Sequence, residues 1–79
     1  ISRFYLLAMK NNYITIQING EPFNCPNNMS IYDLICYFDI NSKLVLVEYN
    51  EDMIYDNQFT DILLKPNDKL EIITIVGGG

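Results

Sequence analysis

The chain of 79 residues contains no histidine and no tryptophan, and it has few basic residues. Without histidine it can form neither a Ser-His-Asp catalytic triad nor a histidine-ligated metal site. Five Lys and Arg are outnumbered by ten Asp and Glu, which gives a formal net charge of −5. Phosphate backbones and anionic membrane surfaces would repel such a chain, so we expect neither a nucleic acid nor a membrane as a partner.

Cysteine and glycine are also scarce. Cys25 and Cys36 form no CxxC motif and are too few for a disulfide scaffold. Either thiol could in principle carry sulfur, but their predicted positions on a strand and a helix favour two small core thiols in a reducing compartment. Of the four glycines only Gly20 lies in the interior of the sequence, which excludes a glycine-rich loop that cradles a phosphate.

The first strongly patterned segment predicts a β-hairpin. Residues 14–18 alternate apolar and polar side chains with the period of a half-buried strand, and Asn19-Gly20 supplies the positive φ angles of a type I′ turn. The returning strand, residues 21–25, contains Pro22, which lacks an amide donor. We therefore expect this second strand at an edge of the sheet.

Later segments complete one small α+β domain. Ser30 precedes apolar residues at helical spacing and caps a helix over residues 31–38. Further strands are expected at residues 44–47, apolar throughout and so covered on most of both faces, at 53–55, and at 70–75. The last strand is hydrophobic and should lie centrally, parallel to the first. This order predicts a β-grasp: a mixed sheet of four to five strands with one main helix on one face.

The C-terminal Val76-Gly77-Gly78-Gly79 is the most informative segment for function. Glycines allow a chain to pass through a narrow channel, and a terminal carboxylate becomes an electrophile once a partner replaces one oxygen with a leaving group. The chain would then be a carrier and no enzyme itself, with Gly79 as its reactive residue. A frayed end or a cloning scar is the alternative. We divide the chain into a disordered extension (1–11), the domain (12–75) and a flexible tail (76–79).

A second candidate site lies at the root of this tail. Ile73 and Ile75 should point away from the helix, and with Val45 or Val47 beside them they would form an exposed apolar surface that docks a partner. The alternative is that both sheet faces are core, covered by residues 1–13 or by the loop at 56–61. Five acidic residues could match a basic enzyme surface, or they could form an ordinary solvated face. They are Glu48, Glu51, Asp52, Asp56 and Asp61.

Four segments together resemble the ThiS family, the sulfur carriers of thiamine biosynthesis. They are the hairpin at residues 14–20, the helix start at 30–34, the segment 47–51 and the C-terminal segment 68–79. Gly78 and Gly79 correspond to the terminal Gly-Gly of the family. Tyr49 departs from the family pattern, in which a smaller residue is common, and this leaves the local packing open.

The resemblance implies a ubiquitin-like β-grasp and a mechanism supplied by partners. An adenylating enzyme of the ubiquitin-activating type (ThiF-like) would use ATP to convert Gly79 to an acyl-adenylate, and no cofactor would be bound by the chain itself. A cysteine desulfurase or another donor would then supply sulfur to give a thiocarboxylate. A thiazole synthase (ThiG-like) would take that sulfur into the thiazole ring.

Three alternatives share this fold. They are the small subunit of molybdopterin synthase, which also ends in Gly-Gly, a protein modifier that forms isopeptide bonds to lysine, and a regulatory β-grasp module cut from a larger enzyme. The abundance of isoleucine (twelve) and asparagine (ten) is typical of an AT-rich genome. We therefore expect a cytoplasmic protein, or a protein of the plastid stroma if the chain is organelle-encoded.

Overall fold

The computed structural model describes residues 13–75 and shows a five-stranded mixed sheet with one helix on one face. The strands are β1 (Tyr13–Ile18), β2 (Glu21–Pro26), β3 (Val45–Tyr49), β4 (Asp52–Ile54) and β5 (Lys69–Thr74), and they lie in the order β2-β1-β5-β3-β4. The helix, α1, spans Ile31–Tyr37, and two short 3₁₀ helices span Ser42–Leu44 and Asp56–Asp61. Among the described residues, no helix is long and apolar enough to cross a membrane.

The topology confirms the predicted β-grasp. β5 lies at the centre, parallel to β1 and antiparallel to β3, and β2 lies at an edge. Asn19 and Gly20 have φ angles of 52° and 83°, as the type I′ hairpin requires. The predicted extension at 1–11 and the predicted tail at 76–79 lie outside the described residues.

Helix α1 begins and ends with identifiable caps. The Ser30 hydroxyl accepts a hydrogen bond from the Asp33 N–H (3.0 Å), and the Asp33 carboxylate accepts one from the Ser30 N–H (3.1 Å), which completes a capping box. At the other end Asp39 adopts a φ of 57°, and the Ile40 N–H donates back to the Ile35 carbonyl (3.0 Å). This is a Schellman arrangement with aspartate where glycine is usual, and it ends the helix one residue before the predicted position.

The core lies between α1 and one face of the sheet. Its fully buried side chains come from both layers and from the second 3₁₀ helix: Ile16, Cys25, Ile31, Leu34, Ile35, Val47, Phe59 and Leu70. The prediction that residues 44–47 are covered on most of both faces is wrong, because Leu44 and Leu46 are 52% and 40% exposed. Cys25 is a core thiol as predicted, whereas Cys36 is exposed, because it lies outside the buried stripe of α1.

A buried carboxylate holds the start of the central strand. Asp68 is only 7% exposed and accepts hydrogen bonds from the Tyr49 hydroxyl (2.7 Å), the Asn50 side-chain amide (3.1 Å) and the Lys65 N–H (2.8 Å). Its own carbonyl accepts from the Gln17 N–H (2.9 Å). Asp68 thereby connects β1, the end of β3 and the turn before β5. Tyr49, which departs from the family pattern, is one of the donors that this carboxylate requires.

Replacing Tyr49 tests this network. Burial, the hydrogen bond to Asp68 and the charge of that carboxylate raise the pKa of Tyr49 to about 12. An unfolded tyrosine ionises near pH 10, so between about pH 10 and 12 the unfolded state loses its proton first and stability falls as pH rises. We expect Tyr49→Phe to lower the free energy of unfolding by about 1–2 kcal/mol at pH 7 and to reduce this alkaline decline.

Urea denaturation at pH 7, 9 and 11 measures both effects. Tyr37→Phe is the matched control, because Tyr37 is 66% exposed. Equal stability of the Tyr49→Phe variant and the parent chain at pH 7 would contradict the role given to Asp68.

Candidate functional site

The sheet face opposite α1 is not covered by any described element near the end of β5. Leu46 of β3 lies directly across from Ile73 of β5, and the two side chains are 40% and 49% exposed. Ile75, 46% exposed, continues the line of β5, and its N–H donates to the Leu44 carbonyl (2.7 Å). We call Leu46, Ile73 and Ile75 the apolar patch.

The structure supports part of the predicted docking surface and corrects one residue of it. Ile73 and Ile75 are exposed on the uncovered face, and their role in docking stays a prediction. Val45 or Val47 was expected beside them, but both belong to the buried core, and Val47 pairs with Ile72 and Ile54 on the side of the helix. Side chains alternate along a strand, so the outward position belongs to its neighbour Leu46. The uniformly apolar sequence of β3 conceals that alternation.

The apolar patch directly precedes the predicted reactive tail. β5 ends at Thr74, and Ile75 is the last described residue. The predicted tail residues Val76, Gly77, Gly78 and Gly79 lie outside the described residues. Because the Ile75 N–H donates to Leu44, the residue just before β3, the fold supports the chain up to the residue before this tail.

Carboxylates lie beside the apolar patch on the same sheet face. Glu48 and Glu71 stand directly across from each other, two residues along their strands from Leu46 and Ile73. Both line a groove of about 280 Å³ together with Glu51 and four other residues: Gln17, Gly20, Lys69 and Leu70. Three carboxylates around one lysine give this groove, which forms a rim beside the apolar patch, a net negative charge. A negative rim suits a cationic partner.

Two of the three carboxylates that line this groove were predicted as candidates from the sequence, and one was not. Glu48 and Glu51 were predicted to contact a basic partner surface, whereas Glu71 was not. Glu71 lies two residues before Ile73 on β5, so its side chain points to the same sheet face as Ile73 and Ile75. Asp56 is engaged elsewhere, in an ion pair with Lys43 (2.7 Å). The hydrogen bond and the charge of Lys43 lower the pKa of the Asp56 carboxyl.

The buried thiol has the character of a packing residue. Burial, with a smaller contribution from the charge of Asp68, raises the pKa of the Cys25 thiol. A raised pKa keeps the thiol protonated at neutral pH, and the thiolate is the nucleophilic form. Within residues 13–75, no group of three His, Cys, Asp or Glu side chains is arranged to hold a metal ion.

Comparison with known proteins identifies relatives along most of the chain. The sequence model of the ThiS family matches residues 16–79. Uncharacterized protein ycf40 of Pyropia yezoensis is 49% identical over 71 residues, which cover 90% of this chain and 100% of that protein. Sulfur carrier protein ThiS of Bacillus subtilis is 31% identical over 65 residues, which cover 81% of this chain and 98% of that protein.

A longer relative and a solved structure add to this picture. Thiazole synthase of Paramagnetospirillum magneticum is 32% identical over 62 residues, which cover 78% of this chain but only 19% of that protein. The crystal structure of the thiamine biosynthesis protein ThiS from Geobacter metallireducens superposes with a TM-score of 0.72, covering 84% of this chain and 100% of that chain. Its sequence identity is 22%, so it shows the fold alone.

Neighbouring positions of β3 test which sheet face is free. We expect Leu46→Asp to change the free energy of unfolding by no more than about 1 kcal/mol, because the new carboxylate stays in water. Val47→Asp should cost more than about 3 kcal/mol, because it buries a carboxyl group without partners. Urea denaturation of the two variants provides the measurement. Similar losses at both positions would show that the apolar patch is core.

Proposed function

The chain belongs to the ThiS family, and from this we propose that it carries sulfur for thiamine biosynthesis as a thiocarboxylate on Gly79. The chain acts as a protein substrate of other enzymes. The reactive atom lies at the end of the chain, and the folded domain provides the surface by which partners recognise it.

The proposed chemistry has three steps, each catalysed by a partner. First, a carboxylate oxygen of Gly79 attacks the α-phosphorus of ATP on an adenylating enzyme of the ubiquitin-activating type, and pyrophosphate leaves. Second, sulfide-level sulfur, released from the persulfide of a cysteine desulfurase or a related donor by a thiol reductant, attacks the acyl carbon, and AMP leaves. Third, thiazole synthase takes the sulfur of the resulting thiocarboxylate. Adenylation is needed because a free carboxylate has no good leaving group.

The apolar patch is the observation that carries this proposal. Leu46, Ile73 and Ile75 expose adjoining apolar side chains immediately before the predicted tail. A partner that buries this surface would bring the tail to a constant distance from its own active site, which is how docking converts a chain end into a positioned reactant. The neighbouring carboxylates favour a partner whose rim is basic.

Thiazole synthesis is favoured over molybdopterin synthesis by two relatives. The Bacillus subtilis relative is named a sulfur carrier protein ThiS. In Paramagnetospirillum magneticum, a segment similar to this chain forms part of a protein named thiazole synthase. A carrier-like segment within the same polypeptide as the acceptor enzyme supports thiazole synthase as the partner that receives the sulfur.

We place this activity in the plastid stroma. Relatives named uncharacterized protein ycf40 occur in Pyropia yezoensis, Porphyra purpurea and Trieres chinensis. The isoleucine- and asparagine-rich composition is consistent with an AT-rich organelle genome. A chain synthesised from such a genome would meet its partners in the same compartment.

Intact-protein mass spectrometry tests the proposed modification. After incubation with the cognate adenylating enzyme, ATP and a sulfur donor, the mass should increase by one oxygen-to-sulfur replacement, and fragmentation should place it on Gly79. An unchanged mass, with the enzyme shown to be active, would overturn the proposal.

A chain that lacks Gly79 is the control for this reaction. The deletion leaves every described contact in place, so we expect parental stability in urea together with loss of the reaction. Unfolding of the shortened chain would indicate that the tail is structural. Lysine-linked conjugates in cell extract would instead favour the protein-modifier alternative.

Substitution within the apolar patch tests docking separately from chemistry. We expect Ile73→Asp to raise the KM of the adenylating enzyme for the carrier by about tenfold, since a charge would be buried at the interface. Tyr32→Asp is the matched control, because Tyr32 is similarly exposed (45%) but lies on α1, across the sheet. Equal KM values for the two variants would show that the partner docks elsewhere.

A further inference from the structure

β5 extends well beyond its parallel partner. The register pairs Gln17 with Lys69 and Ile18 with Leu70, and β1 ends at Ile18. The Asn19 N–H still donates to the Leu70 carbonyl (2.8 Å). Beyond this point, no described strand pairs with β5 on the side of β1, although β5 continues to Thr74.

The side chain of Asn19 takes the place of the missing strand. Its Oδ1 accepts a hydrogen bond from the Ile72 N–H (2.7 Å), and its Nδ2 donates to the Ile72 carbonyl (3.3 Å). One side-chain amide thus pairs with both backbone groups of a single residue, as a backbone peptide would. The left-handed φ of Asn19 (52°) at the hairpin turn directs the side chain across to β5.

A second asparagine makes a similar contact at the other end of β5. Asn50 also has a left-handed φ (50°) at the turn that follows β3. Its Oδ1 accepts from the Lys69 N–H (2.8 Å), and its own N–H donates to the Lys69 carbonyl (2.8 Å). Asn50 therefore holds the start of β5, and Asn19 holds the part that leads to the tail.

We propose that Asn19 is a positioning residue for the docking reaction, an inference that rests on the proposed function. By holding Ile72, it keeps Ile73 and Ile75 ordered before the adenylating enzyme binds. Without this amide, the last residues of β5 would be held from the side of β3 alone. A partner would then have to order the strand end on binding, and that loss of entropy weakens association.

Glycine at the two asparagine positions provides a matched test. Both positions have positive φ, which glycine adopts without strain, so each substitution removes the side-chain amide and keeps the turn. We expect Asn19→Gly to raise the KM of the adenylating enzyme for the carrier about fivefold, the equivalent of one to two modest hydrogen bonds, with kcat unchanged. Amide hydrogen exchange at Ile72 should become faster.

The controls separate positioning from stability. Asn50→Gly also removes a donor to Asp68, so we expect it to lower stability in urea at least as much. Tyr49 and Lys65 still donate to Asp68 and keep the register of β5, so KM should stay at the parental value. Asn19→Asp keeps an acceptor for the Ile72 N–H but cannot donate to the Ile72 carbonyl. It should give an intermediate KM.

The outcomes distinguish this inference from the proposed function. Parental KM and parental Ile72 exchange in Asn19→Gly would overturn the inference alone, and so would an equal rise of KM in Asn50→Gly. A parent chain that is never adenylated would overturn the proposed function and the docking step with it. In that case the exchange rate at Ile72 still decides whether Asn19 holds β5.

Discussion

The carboxylate of Asp68 determines how the central strand can be placed. A carboxylate with 7% exposure is costly unless donors surround it, and here the three donors come from Tyr49, Asn50 and Lys65. They meet only if the end of β3 and the turn before β5 come together. This sets the register of β5 against β3, and a shift of one residue would exchange every inward and outward side chain. The exposure of Ile73 and Ile75 therefore depends on a contact at the opposite end of their strand.

Local signals in the sequence were sufficient for most of the architecture. Asn19-Gly20 specifies a type I′ hairpin, and Ser30 with Asp33 specifies a helix start, because each signal depends on neighbouring residues alone. The central place of β5 followed from its hydrophobicity. The Asp68 network could not be predicted in this way, since its donors lie up to 19 positions away in the chain.

Three details of the structure could not be predicted from the sequence, each for a physical reason. The run Leu44–Val47 has no polar residue to mark its outward face, so the exposed Leu46 and the buried Val47 could not be told apart. The sequence pattern did not fix the end of helix α1, because the left-handed residue that follows it is Asp39, where glycine is the usual signal. Cys36 was assigned to the core because it lies on the predicted helix, but it falls outside the buried stripe of α1 and is exposed.

The domain and its C-terminus have separate functions in this account. The described residues supply a rigid sheet, an apolar patch with a negative rim, and two asparagines that hold β5, while Gly79 supplies the reacting carboxylate. The most direct test uses carrier whose thiocarboxylate contains isotopically labelled sulfur, incubated with thiazole synthase and its other substrates. We expect the labelled sulfur to appear in the thiazole product. Label that remains on Gly79 with an active synthase, or that is accepted by molybdopterin synthase instead, would contradict it.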